Sequence, residues 1–435
     1  MHNMRASATN ESLERSTMRA VSWRVLPLLF TLYIAAFLDR TNVGLAALQM
    51  NRDLGLSAAA YGFGAGVFFI GYGLLEVPSN LLLARVGARR WIARIAITWG
   101  VLACAMMFIR GPVGFYIVRF LLGAAEAGAF PGIVYFLSEW FPEGQRASAM
   151  SRFMVSIPLS GAIGGPLGGA LLSFSGTFGL AGWQWLFLVE GIPSILLGVA
   201  IFFLLTDRPE DAKWLSTEQR AWLAATIAGE RAARAGIAET SVAKSLTSGV
   251  VWWLAILYLL AICAELGPIF FGPVLVGDAL HAGSTVVGLV MGGIGVAGVI
   301  GMLVNGALSD RSGERVMHAS ISMLVMAAGF AVCATSHGGL AMVAGLVLAS
   351  IGVNAFLPVF WCVPSVLLSG SAAASGIALI NSIGNLGGFF APNILGFGKV
   401  ATGSYTNGLV TLGCLALIAG LMMLPIARIR GIARP

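Results

Sequence analysis

Apolar residues run along this chain in long, nearly unbroken blocks, not in the narrow stripes of a soluble amphipathic helix. A membrane-crossing helix needs about 20 mostly apolar residues, at roughly 1.5 Å of rise each. Twelve blocks meet that requirement, at roughly 23–49, 57–83, 91–110, 113–137, 149–173, 185–205, 250–277, 285–308, 316–336, 340–368, 372–398 and 405–427. Short polar links join most of them, and one long link over 206–249 divides them six and six. That link carries 12 of the chain's 45 charged side chains, which places it in water. Within it, Ser216 to Arg234 reads as an amphipathic surface helix, with Glu218 as the capping partner of Ser216 or Thr217. The expected layout is an all-α membrane protein: a polar tail over 1–22, a six-helix bundle over 23–205, the central loop over 206–249, a second six-helix bundle over 250–427 and a tail over 428–435.

Composition excludes the soluble alternative. Of 435 residues, 58% are hydrophobic and 10% charged, whereas soluble domains carry roughly 25% charged residues. So little charge cannot cover a water-facing surface, but lipid needs no such cover. The 57 glycines suit close helix packing. Residues 1–22 are polar and basic, and the apolar run that follows is too long for a cleaved leader and contains Asp39 and Arg40, so it reads as a first span. Cys104, Cys263, Cys333, Cys362 and Cys414 lie in apolar runs with no C-x-x-C pair, and the histidines lack metal-ligand neighbours. Neither a disulfide framework nor a metal site is expected.

The net charge of +7 invites a nucleic-acid partner until the charges are placed. With both termini cytoplasmic, 21 of the 26 lysines and arginines fall on the cytoplasmic side. Only Arg52, Arg110 and Lys399 face outward, and Arg40 and Arg119 lie inside spans. This positive-inside asymmetry sets the orientation and accounts for the basic character without nucleic acid.

The halves repeat. Asn80 to Arg90 after the second span and Gly306 to Arg315 after the eighth align Arg85 and Gly87 with Arg311 and Gly313. Parallel six-helix repeats suit a transporter whose two bundles rock about a central site. Gly306, Asp310, Arg311, Gly313 and Arg315 match G-x-x-x-D-R-x-G-x-R, the loop signature of the major facilitator superfamily, while the first-half copy has Ala84 and Asn80 in place of its Asp and Gly. Five further stretches, F-L-D-R-T-N-V-G (37–44), Y-G-L-L-E-V-P-S-N (72–80), V-G-A-R-R-W (86–91), R-F-L-L-G-A-A-E-A-G-A-F-P-G (119–132) and I-N-S-I-G-N-L-G-G-F (380–389), together resemble its anion:cation symporter family. That family includes permeases for aldonates, hexuronates, tartrate, phthalate and hydroxyphenylacetate. The resemblance covers essentially the whole chain. It implies a twelve-helix secondary transporter of the bacterial inner membrane that moves a small organic anion with protons. No cofactor beyond the proton as coupling ion is implied.

Ionisable residues inside spans sharpen the picture, because each costs roughly 2.5–3.5 kcal/mol at the bilayer centre. Arg40 and Arg119 reach similar depths on spans 1 and 4, and two guanidiniums at one level suit a carboxylate. Arg119 alternatively organises the two helices. Asp39 precedes Arg40, and Glu126 shares a face with Arg119 two turns on. Desolvation favours the neutral form of these acids and a nearby guanidinium the charged form, so either acid can exchange a proton. The resemblance implies that both couple protons to substrate. Glu76, expected near Arg85, and Glu190, expected near the outer end of span 6, read as structural. Glu265, mid-span in a stretch where the resembling proteins commonly lack a charge, reads equally as a functional or a structural acid.

Uncharged groups complete the candidate pocket. Tyr33, Phe37 and Arg40 form one stripe on span 1, and Asn381 and Asn385 lie one turn apart on span 11. Trp361 suits stacking on a ring or an apolar sugar face, and Tyr72 matches a binding position in the resembling family. Gly161, Gly165 and Pro166 form G-x-x-x-G-P, a pattern of drug antiporters that also serves plain packing. Proton-driven efflux of an amphipathic compound is therefore the alternative to anion uptake. A sensor would need an output domain larger than the central loop, and no nucleophile–base pair or phosphate loop suggests an enzyme. Besides anion and proton, only membrane lipid is expected as a partner, and the chain is expected to act as a monomer.

Overall fold

The computed structural model describes residues 2–234, 247–336, 338–367 and 371–428. Eleven helices in it are long and apolar enough to cross a membrane. They are span 1 (Ser12–Asp53), span 2 (Ala58–Leu83), span 3 (Ala88–Phe108), span 4 (Pro112–Trp140), span 5 (Glu143–Leu172), span 6 (Gly182–Leu204), span 7 (Gly249–Leu280), span 8 (Ser284–Ser312), span 9 (Val316–Thr335), span 10 (Gly339–Pro364) and span 12 (Thr406–Ala427). Span 11, expected as one helix over 372–398, is two half-helices, Ser371–Asn385 and Gly387–Thr402, broken at Leu386. Neither half alone is long enough to cross; end to end they make the twelfth crossing.

Other breaks follow local chemistry. Span 4 interrupts after Glu126, where Ala127 turns extended and Gly128 takes φ +85°. Span 5 changes helix at Val155, between Met154 and Ser156. Spans 5 and 11 are each the fifth of their half, so the repeat read in the loops extends to helix geometry.

The polar segment before residue 23 is helical and continuous with span 1: the first helix starts at His2 and continues through Pro27 to Asp53. It is held there by packing, with Thr17 and Met18 buried and Glu14 accepting from Gln145 at 2.7 Å. The loop helix, Thr217–Arg234, is capped by Gln219 rather than Glu218. Gln219 and Ser216 exchange side-chain and backbone hydrogen bonds at 3.1 and 3.2 Å, the reciprocal capping box. This helix docks on the first bundle, where Glu230 pairs with Arg146 at 3.1 Å.

The bundles meet closely in the half of the membrane away from the chain termini, through glycines whose missing side chains let backbones touch. A Cβ on Gly165 of span 5 would sit 2.4 Å from the Gly288 carbonyl of span 8, and one on Gly62 of span 2 would sit 2.4 Å from the Pro392 carbonyl of span 11. A Cβ on Gly44 of span 1 would meet the Ile269 carbonyl of span 7 at 2.5 Å. Beside this contact the Tyr61 hydroxyl donates to the Phe270 carbonyl at 2.9 Å. The G-x-x-x-G-P stretch thus contributes to a seam between bundles. Gly165→Val is expected to hold that seam apart. In a cysteine-free background with a cysteine at position 160, it should open that cysteine to a membrane-impermeant maleimide from the face opposite the termini. Labelling no faster than in the parent protein would contradict the seam.

Candidate functional site

Span 1 brings Tyr33, Phe37, Asp39 and Arg40 to the middle of the first bundle, against spans 2 and 4. The pairing there crosses. Arg40 bonds the Glu126 carboxylate on span 4, rather than leaning on its sequence neighbour Asp39. Asp39 feels the positive charge of Arg119 on span 4 more than that of Arg40, and its hydrogen-bond partner is the Asn42 amide at 3.4 Å. Both acids are nearly sealed, with 2% exposure each, whereas the Arg40 side chain keeps 19%. Asp39 Oδ2, Glu126 Oε2 and the Nε atoms of both arginines have no hydrogen-bond partner. Each acid therefore retains an oxygen able to take a proton.

The two guanidiniums do not share one opening. Arg119 is 1% exposed and lies over the Phe68 ring at 4.7 Å, with its amino group 3.4 Å from the Ala65 carbonyl. Arg40 lies over Phe68 at 5.7 Å, over Phe37 at 5.2 Å and over Tyr72 at 5.8 Å. Both cations lie against the Phe68 ring, and only Arg40 keeps appreciable exposure. This geometry favours the organising role for Arg119. The shared ring gives each cation a π contact where lipid-depth burial removes water.

Glu76 is not where it was expected. Glu76 is one turn beyond Tyr72 and faces Arg40 and Ser382 of span 11, while Arg85 is exposed in the last turn of the same helix, Ala58–Val86. Glu190 is buried with Oε2 unpartnered, beside Asn42, whose amide also reaches Asp39 at 3.4 Å. The buried cluster therefore extends from Arg119 through Asp39 and Asn42 to Glu190.

The second bundle supplies the opposite wall. A cavity of about 180 Å³ lies between the bundles, lined by Phe37 and Thr41 on either side of Arg40, Ser160 of span 5, Glu265 of span 7, and Ser350 and Asn354 of span 10. Arg40 is the cation that acts on Glu265. Trp361 stands edge-on to Tyr258 with centroids 4.9 Å apart, and Tyr258 packs against Gly384 between Asn381 and Asn385. Both asparagines are half-buried on the first half of span 11, and Asn385 is the last residue before its break. Tyr33 is buried among Phe37, Phe130 and Phe153, at centroid distances of 5.1, 5.8 and 4.6 Å. Sequence reasoning passed over Tyr258, Ser382 and Asn354. The signal available for Tyr258 was its position two turns before Glu265 on the same face.

The loop signatures differ between halves. In the second, Arg315 bridges Asp310 at 2.6 Å and donates to Ser309 at 3.1 Å, around Gly313 at φ +67°. Arg311 is exposed, and a Cβ added at Gly306 would meet nothing within 4 Å. In the first, Ala84 cannot supply the acid. Asp207 beyond span 6 does so, accepting from the Arg89 backbone at 2.8 Å and facing its guanidine at 3.4 Å, beside Gly87 at φ +96°.

The Major Facilitator Superfamily model matches residues 29–392. A protein of Agrobacterium vitis, "Putative tartrate transporter", is 45% identical over 97% of this chain and 93% of its own length. A "Quinolone resistance transporter" of Acinetobacter baumannii is 38% identical over 94% of each. Among solved structures, a bacterial homolog of the human lysosomal transporter Spinster superposes with a TM-score of 0.79 at 16% identity, over 94% of this chain and 97% of that one.

If Asp39 and Arg119 are a buried pair, removing one partner strands a charge, at a cost of about 3–5 kcal/mol. Arg119→Met should unfold at markedly lower temperature in detergent, and adding Asp39→Asn should recover much of the loss. Failure of the second change to recover stability would contradict the crossed pairing.

Proposed function

We propose that this chain, which belongs to the Major Facilitator Superfamily and is a membrane transporter and not an enzyme, takes up a small organic acid of the tartrate kind together with protons. The observation that carries the reading is the Arg40–Glu126 pair: a partly exposed guanidinium at the bundle interface, occupied by a sealed carboxylate. While Glu126 is ionised it competes with an incoming anion for Arg40. Protonation removes the competitor and frees the planar fork for the substrate carboxylate. By linkage, an anion that binds better when Glu126 is protonated must also promote that protonation. Asp39, buried in the field of Arg119, is the second proton carrier.

The remaining polar groups suit the other end of such an acid. Glu265, Ser160, Ser350 and Asn354 line the cavity beside Phe37 and Thr41, with Asn381, Asn385 and Trp361 on spans 11 and 10 of the second bundle as further candidates; amides and hydroxyls offer both donors and acceptors to substrate hydroxyls. With the termini cytoplasmic in the bacterial inner membrane, the closed glycine seam lies outward and the site opens inward. Rocking of the two bundles then exposes it alternately. The loop contacts of Arg89 with Asp207 and of Arg315 with Asp310 lie on the cytoplasmic face and brace the open form.

Proton-driven efflux of an amphipathic compound is the second reading, favoured by the likeness to the quinolone resistance transporter. The cavity of about 180 Å³ is small beside the ~300–1,000 Å³ of drug-sized sites, which favours a small acid.

The test is tartrate transport in proteoliposomes, with an imposed proton gradient and by counterflow at equal pH. Glu126→Gln, neutral at all pH, should exchange tartrate in counterflow yet fail to concentrate it. Arg40→Lys should lose most binding, since an ammonium lacks the fork. Gradient-driven accumulation by Glu126→Gln would remove Glu126 as coupling residue; quinolone movement without tartrate movement would favour the second reading.

A further inference from the structure

Span 4 is interrupted immediately after Glu126, and the interruption is fastened from outside the span. A helix end leaves backbone carbonyls without their usual partners. Here the Ala127 carbonyl accepts from the Ser79 hydroxyl of span 2 at 2.6 Å. That hydroxyl in turn accepts from the Trp91 indole of span 3 at 3.0 Å, so both its donor and acceptor capacities are used. Ser79 is buried. Gly128, the next residue of the break, has φ +85°, and a Cβ there would lie 2.4 Å from Ser79 Oγ. The left-handed conformation and the close approach both require glycine. Asp207 fixes the start of span 3, two residues before Trp91, through the Arg89 backbone and side chain.

We propose that Ser79, anchored by Trp91, is a positioning residue for proton coupling: it fixes the end of the span-4 half-helix so that Glu126 is presented to Arg40. The proposal rests on the reading of Glu126 as a proton carrier. Ser79 touches neither substrate nor proton; it acts through the backbone one residue after Glu126. The chain Asp207, Arg89, Trp91, Ser79, Ala127 runs from the loop face to the buried acid, and each link is a hydrogen bond or a step of one or two residues along the backbone. A change at the loop face during rocking can reach Glu126 by this route, since interfaces of this kind have discrete arrangements.

The test uses infrared difference spectroscopy of the full-length protein in lipid nanodiscs, titrated over pH without substrate. The Glu126 band is the carboxyl signal lost in Glu126→Gln. The charged and titratable groups facing Glu126 are Tyr33, Asp39 and Arg40 of span 1, Tyr72 of span 2 and Arg119 of its own span, and all stay intact in the variants used. Ser79→Ala removes the hydroxyl. Trp91→Phe removes only the indole donor and keeps a ring under Arg94, whose guanidinium lies 4.0 Å from the Trp91 ring centre. The Glu126 midpoint is expected to move in both variants, in the same direction, by roughly half a pH unit or more, a threefold or larger change in proton affinity. Should Ser79→Ala not fold, Trp91→Phe decides alone. A Glu126 band that titrates as in the parent overturns the positioning role. If Glu126→Gln removes no titrating band, the proton-carrier reading itself falls, and this proposal with it.

Discussion

Ionised groups at lipid depth are tolerated only when paired, and the crossed pairing of spans 1 and 4 is the constraint on which the rest of this structure depends. Asp39 and Arg40 are adjacent in sequence and so point to different sides of their helix. Arg40 pairs with Glu126 on span 4, while Asp39 lies in the field of Arg119 on the same span. Asp39 and Arg119 are both buried within the first bundle; the Arg40–Glu126 pair includes a guanidinium that keeps partial exposure. A single dipeptide thus gives the bundle a sealed acid and an exchangeable ion pair, and the same desolvation that makes a broken pair costly makes exchange with a substrate carboxylate selective.

The helices are interrupted where this chemistry needs backbone freedom. Span 4 breaks after Glu126 and span 11 after Asn385, so the acid and the amide each sit at the end of a half-helix. The glycine seams serve a different end. Backbones in contact at Gly44, Gly62 and Gly165 close one half of the membrane with few polar bonds, those of the Tyr61 and Thr285 hydroxyls among them. Contacts of this kind separate without stranding a buried charge, which suits a joint that must open repeatedly.

Much of this was legible in the sequence because lipid imposes long apolar runs with few exceptions. The twelve blocks, the six-and-six division and the exceptional residues Asp39, Arg40, Arg119 and Glu126 all follow from that rule. The pairing among them was not legible: helical periodicity puts Glu126 on the face of Arg119, but periodicity describes one helix and the pairing is set by two. Glu76 shows the same limit, since its partners Arg40 and Ser382 come from spans 1 and 11. The break in span 11 falls at Leu386, between Asn385 and Gly387–Gly388, a local signal that the apolar run concealed. Asp207 was invisible as the substitute for the missing loop acid, because 123 residues separate it from Ala84.

The central claim is an exchange at Arg40, in which a substrate carboxylate takes the place of a protonated Glu126. Proton uptake on ligand addition tests it most directly. Tartrate added to the purified transporter in weakly buffered solution should raise the pH as protons are taken up, with less uptake by Glu126→Gln at equal occupancy. Tartrate that binds, by calorimetry on the same sample, with no proton uptake by the unaltered protein would contradict the exchange.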